Sequence, residues 1–217
     1  MKIKILFLTL SIIMMVLGSC SKKSTESEII EIGDIISFGV YSWLVLDIQN
    51  DRALIVSENL LERGIYNTSL TNITWAESSI REYLNGEFYN STTFSNRDRA
   101  RIYQVSNINQ DNQWYGTPGG EITQDKIFLL SIAEVVKYFG DSGQLDNRPE
   151  DAWRIDDIYN INRITTFNGS PTWWWLRSPG YNSLNAGNVN HEGYLNINGI
   201  GVHNDFGGVR PALWLNL

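Results

Sequence analysis

Hydrophobic residues in this chain follow three periods, and each predicts a different kind of element. Ile5–Leu17 is almost unbroken apolar sequence, too short to span a bilayer comfortably. Asp34–Val40, Ser42–Gln49 and Arg52–Ser57 hold short apolar runs, such as Trp43–Leu46, bounded by Gly, Asn and Asp. That pattern predicts an opening meander of three strands with Gln49-Asn50-Asp51 as one turn. Glu58–Arg63 reads as a helical turn closed by Gly64. Between Thr74 and Phe88 the period changes: Trp75, Ile80, Tyr83, Leu84 and Phe88 share one helical stripe. Thr74 and Glu77 look like its capping box, and Asn85-Gly86 like its stop or kink.

Two more capping pairs follow. Ser95 and Asp98 open a short helix over Asn96–Ile102; Ser131 and Glu134 open Ile132–Phe139, which Gly140 ends. Lys126–Leu130 (KIFLL) reads as a buried strand. From Trp173 onward the pattern is strand, turn, strand: TWWWLRS, NVNHEGYLNI, GIGVHN and VRPALWL, separated by Gly and Asn. Asn109–Gly120 and Asp141–Asp157 have no period and are rich in Gly, Asn and Asp. They are expected to be long loops, a common place for a functional surface.

The first twenty residues read as an export signal. Lys2 and Lys4 precede the apolar run, and Leu17-Gly18-Ser19-Cys20 resembles a bacterial lipobox. The expected organisation is a signal over 1–19, a lipidated tether over 20–31 starting at Cys20, and a single globular domain over 32–217. Acyl chains on Cys20 would anchor the chain to a membrane of the bacterial cell envelope, each buried methylene contributing roughly 0.8 kcal/mol.

Composition narrows the chemistry. Cys20 is the sole cysteine, so neither an intrachain disulfide nor a cysteine-based zinc site can form. His191 and His203 are the only histidines, which excludes a three-histidine metal site. The formal charge of −7 without a basic run argues against nucleic acid as a partner. With 8 Trp and 10 Tyr, large rings supply enough buried area for a core.

Four motifs carry a resemblance: TW-x-x-S-x-x-R-x-x-LN at Thr74–Asn85, DKIFLLS at Asp125–Ser131, WWLRSPG at Trp174–Gly180 and GVRPALWL at Gly208–Leu215. In order and spacing they resemble an uncharacterised bacterial family, a domain of unknown function, across nearly all of the mature chain. That family is distantly similar to the C-type-lectin-like superfamily and its formylglycine-generating branch. The resemblance implies an α+β fold, a twisted and mainly antiparallel sheet with two or three short helices. Gly208-Val209-Arg210 would occupy the place of that superfamily's terminal G-F-R strand. The reactive cysteines, three-histidine iron site and Glu-Pro-Asn calcium loop of the superfamily's known activities are all missing here.

Candidate ligand-binding residues are Arg81, Trp173, Trp175, Arg177, Asn188, Asn190, His191 and Arg210. The motif arginines are either a recessed anion grip or braces for the fold, paired with carbonyls or with acids such as Glu77 or Glu134. Three consecutive tryptophans on a strand alternate faces, so one or two belong to the core and the odd one out can stack a sugar ring. His191 and His203 are expected on neighbouring hairpin strands. No cofactor is expected, apart from weak calcium candidates at Asn185, Asn188 and Asp205. The function expected is a non-catalytic module binding a glycan or an envelope protein. The alternatives are a polysaccharide-processing hydrolase and a purely structural envelope component.

Overall fold

The computed structural model describes residues 29–217. The expected export signal, Cys20 and the tether as far as residue 28 lie outside the described residues. No helix among the described residues is long and apolar enough to cross a membrane.

The opening alternation folds as a meander. Strands β1 (Ile35–Phe38), β2 (Tyr41–Gln49) and β3 (Arg52–Ser57) pair antiparallel in sequence. The β2–β3 turn holds Asn50 and Asp51 at φ 48° and 60°, a left-handed conformation that Asn and Asp tolerate. The expected helical turn over Glu58–Arg63 is extended instead. Leu61 donates its N–H to Val209 O, and Glu62–Arg63 forms β4. Six residues are too few to nucleate a helix by themselves, and here the backbone finds a strand partner.

Thr74–Phe88 is helical, but in three pieces. Trp75–Glu77 is a 3-10 turn, α1 runs Ser79–Tyr83, and Leu84–Phe88 is a π turn. Ser78 is extended (φ −69°, ψ 143°) and caps α1 by accepting from Arg81 N. The Thr74 side chain caps nothing; its hydroxyl reaches only Glu77 Oε2, at 3.5 Å. The reason lies in Asp125. Trp75 Nε1 donates to Asp125 Oδ2 at 3.0 Å and Arg81 Nε to Oδ1 at 2.6 Å. On a straight helix, side chains six residues apart point about 120° away from each other; the break at Ser78 brings both to one carboxylate. Asn85, in the π turn, accepts from Lys126 N and Ile127 N and donates to Ile127 O.

The other two capping boxes form as expected, Ser95 with Asp98 on α2 (Asn96–Arg101) and Ser131 with Glu134 on α3 (Ile132–Phe139). Gly140, at φ 125°, ends α3. Between these helices lie β5 (Ile102–Tyr103), β6 (Val105–Asn107) and β7 (Thr123–Asp125). Lys126–Leu130 is not a strand. Ile127–Leu130 are fully buried, yet only Phe128 bridges Ala212. Side chains serve much of the remaining backbone: Asn85 meets Lys126 and Ile127, and Arg177 donates to Leu129 O. After α3 come β8 (Arg154–Ile155), α4 (Asn160–Arg163), β9 (Thr166–Phe167) and β10 (Ser170–Pro171). The tryptophan strand is β11 (Trp174–Pro179), followed by β12 (Asn185–Val189), β13 (Leu195–Gly201), β14 (Gly208–Val209) and β15 (Ala212–Asn216).

Two larger sheets organise these strands. The first has the order β1-β2-β3-β15-β5, antiparallel throughout; the second has the order β4-β14-β11-β12-β13-β8. Within the second sheet only the β11–β14 pairing is parallel. The fold is therefore α+β and mainly antiparallel, with four short α-helices among the described residues rather than two or three. GVRPALWL joins the sheets: β14 belongs to one, β15 to the other, and Arg210-Pro211 makes the crossing. Trp43, Trp75, Trp174 and Trp175 are fully buried. Each indole N–H finds an acceptor, on Phe38 O, Asp125, Arg163 O and Gly64 O respectively, as burial of a polar atom requires.

Candidate functional site

The three motif arginines brace the fold, each in a different place. Arg81 meets Asp125, Ala76 O and Gln124 O. Arg177 pairs with both carboxylate oxygens of Glu134 and with Leu129 O. Burial works against the Glu134 carboxylate, but Arg177 and the Ser131 N–H outweigh it and hold the group below its ordinary range. Arg210 donates to Ser57 O at 3.0 Å and Glu58 O at 3.4 Å. Its guanidinium lies 4.9 Å from the Trp174 ring centre and 5.3 Å from that of Phe139. Burial pushes it down to about 9, against the pull of Glu58, so it remains a cation at neutral pH. The three do not converge on one site, and carboxylates or carbonyls of the chain take most of their donors; Arg177 Nε and Arg210 Nη1 are buried without a partner.

The tryptophan triplet alternates as expected. Trp174 turns toward Phe139 and Arg210. Trp173 and Trp175 share the other side, their rings edge to face with centres 4.7 Å apart. Trp175 is buried against Tyr66 and is withdrawn as a ligand contact. Trp173 is the odd one out, half-buried and lining a cleft of about 230 Å³ with Arg63, Pro171, Thr172, His191 and Phe206.

This cleft is built by strand pairing and a tight turn. Arg63 on β4 stands opposite Gly208 on β14, and Gly208 N donates to Trp173 O. Gly207 lies directly on the tryptophan pair: a Cβ there would overlap Trp175 Nε1 and crowd the far edge of Trp173. Only glycine lets the backbone come so near, and the turn thereby holds up Phe206, 61% exposed. Asn204 Oδ1 accepts from Phe206 N and shapes that turn. Arg63 is exposed, makes no ion pair among the described residues, and lies 5.5 Å from the Phe167 ring centre. It also borders a second cleft, of about 280 Å³, with Glu62, Thr68, Ser79 and Tyr83.

The remaining candidates divide between turns and strands. Asn190 is buried and accepts from Glu192 N and Tyr194 N, so it shapes the turn that presents His191. His191 and His203 are both exposed and both in turns, not on strands. Asn188 is buried on β12, its Oδ1 taken by Asn196. Asn185 donates to Asn182, and Asp205 sits apart in the turn before β14. Among the described residues no group of three or more His, Cys, Asp or Glu is placed to hold a metal ion. The calcium expectation gains no support from this arrangement.

Another cavity, about 370 Å³, lies between β6 and α3 and is lined by Arg177, Glu134, Lys137, Asn107, Gln110 and Trp214 among others. Its charges already have partners: Arg177 has Glu134, and Lys137 has Asp47 and the Tyr138 hydroxyl. The Trp173 cleft differs in offering an exposed phenyl ring, a half-buried indole and a cation, with no carboxylate in its lining. Arg63 and Phe206 were not among the residues singled out from sequence. Arg63 lay in a presumed helical turn, while the only hint of Phe206 was an aromatic among turn residues in Asn204-Asp205-Phe206-Gly207-Gly208.

Neither a curated protein nor a solved structure matches the chain. A family model does match, over residues 50–217, from the β2–β3 turn through β15. All four motifs that brace the fold lie inside that span, and the chain belongs to the family described as a domain of unknown function, DUF6273.

Proposed function

We propose that this chain is a lipid-anchored protein of the bacterial cell envelope whose folded part is a non-catalytic glycan-binding module. The observation that carries the reading is the Trp173 cleft. A half-buried indole and an exposed phenyl ring face one small hollow next to a guanidinium and an imidazole. Aromatic faces suit the C–H faces of a pyranose, and a few polar groups beside them set orientation. Envelope placement follows from the signal-like leader and the lipobox at Cys20. The C-type-lectin-like relation is the finer fold reading; it rests on the motif resemblance and on the terminal Gly208-Val209-Arg210 strand beside the tryptophan strand.

A glycan array probed with the full-length protein in detergent tests the binding reading. Phe206→Ala, at an exposed position, should leave the melting temperature unchanged and weaken binding of the selected glycan about tenfold or more. Trp173→Ala should weaken it at least as much. Unchanged binding in both variants removes the cleft from the function. Cys20→Ser should release the protein from the membrane fraction; retention there contradicts the anchor.

A further inference from the structure

We infer that the Trp173 cleft takes a sugar bearing a carboxylate, held through Arg63, and that it engages one such residue, not a run of them. This inference rests on the glycan reading above and assigns its ligand class. Among the residues lining the cleft, Arg63 is the one fixed cation, and no carboxylate lines it. The other arginines at the core of the fold are committed to chain acceptors, Arg81 to Asp125, Arg163 to Asp157, Arg177 to Glu134 and Arg210 to carbonyls. Arg63 is exposed, makes no ion pair among the described residues, shares the cleft with Trp173 and Phe206, and lies over the Phe167 ring. Arg148 is likewise exposed and set against two rings, but its guanidinium donates to Ala152 O, Trp114 O and the Tyr115 hydroxyl.

Its neighbour on β4 leaves it uncompensated. Glu62 and Arg63 both border the cleft of about 280 Å³ but form no ion pair, so Arg63 lacks its sequence neighbour as a counter-ion. A planar guanidinium matches a carboxylate with two parallel hydrogen bonds, and the indole beside it offers a platform for the ring that carries that carboxylate. Two facts limit the ligand to one charged residue. The cleft, at about 230 Å³, falls below the roughly 300–1,000 Å³ typical of sites for drug-sized molecules. The chain carries a net charge of −7, so an extended polyanion would be repelled by the surrounding surface.

The test uses matched pairs titrated into full-length protein in neutral detergent at pH 7: sialyllactose against lactose, and digalacturonate against its carboxyl-reduced form, beside the array of neutral glycans. The acidic member of at least one pair should bind about tenfold tighter than its neutral match. Arg63→Gln should erase that difference, Arg63→Lys should restore only part of it, and Trp173→Ala should weaken both members. Equal binding within both pairs, or a preference that survives Arg63→Gln, overturns the assignment. Binding of neutral glycans alone overturns it too, while leaving the glycan reading in place. Silence from acidic and neutral glycans alike overturns both.

Discussion

Glu62 and Arg63 are adjacent in sequence and meet different fates. Burial raises the Glu62 carboxyl above its ordinary range and Glu87 adds to the rise, with the Tyr83 hydroxyl opposing. One of its oxygens, Oε1, is buried without a partner. A carboxyl whose folded-state value is raised stabilises the fold below its unfolded value and loses that contribution as pH rises through the folded one. At neutral pH its charge therefore works against folding. Glu62→Gln should melt higher at pH 7, by about 2–4 °C per 1 kcal/mol recovered. The advantage should shrink as the buffer approaches pH 4; thermal melts at both pH values check it, and an equal gain at both would contradict the argument. Nothing in the residue types marks Glu62 as strained or Arg63 as free. Their roles come from a strand partner more than 140 positions away, which no local period can announce.

At the scale of elements, legibility followed locality. The boxes Ser95/Asp98 and Ser131/Glu134 each satisfy themselves within four residues, so sequence alone reveals them. Thr74/Glu77 has the same spacing and fails, because Asp125 draws Trp75 and Arg81 to one point and the helix breaks at Ser78 to allow it. KIFLL looked like a strand because it is apolar and buried, but side chains from distant motifs serve its backbone. Glu134 links both kinds of signal, capping α3 locally and pairing with Arg177 from β11. Its folded value is lowered, so its contribution is fully present above the unfolded carboxylate range and lost as pH falls through the folded value. Glu134→Gln should cost about 1–3 kcal/mol at pH 7. The gap to the parent protein should close as pH falls through the lowered folded value, where Glu134 itself becomes protonated. Urea titrations from pH 7 to pH 3 check this; a constant gap would mean that the charge contributes nothing.

For the whole molecule, the motifs that identify the family are the ones that hold it together. Trp75 and Arg81 meet Asp125, Asn85 meets Ile127, Arg177 meets Leu129 and Glu134, and GVRPALWL ties the two sheets. The α+β class was readable because turn residues punctuate nearly every strand. The sheet order was not, since it depends on β15 entering the first sheet between β3 and β5. Removing residues 212–217 should therefore abolish cooperative unfolding rather than trim a margin. Loss of the sigmoidal melt and of the near-ultraviolet tryptophan signal would show this; a cooperative melt within a few degrees of the parent would contradict it.

That position of β15 also sets a schedule. A chain made from its N-terminus forward assembles the β1–β3 meander from neighbouring residues, yet the meander's inner edge stays open until residues 212–216 arrive. Until then β3 presents unpaired amides and the apolar run Ala53–Val56. Closure therefore waits on a segment that is made more than 150 residues after β3. A domain so arranged leaves its first sheet unlocked for as long as those intervening residues are still being made.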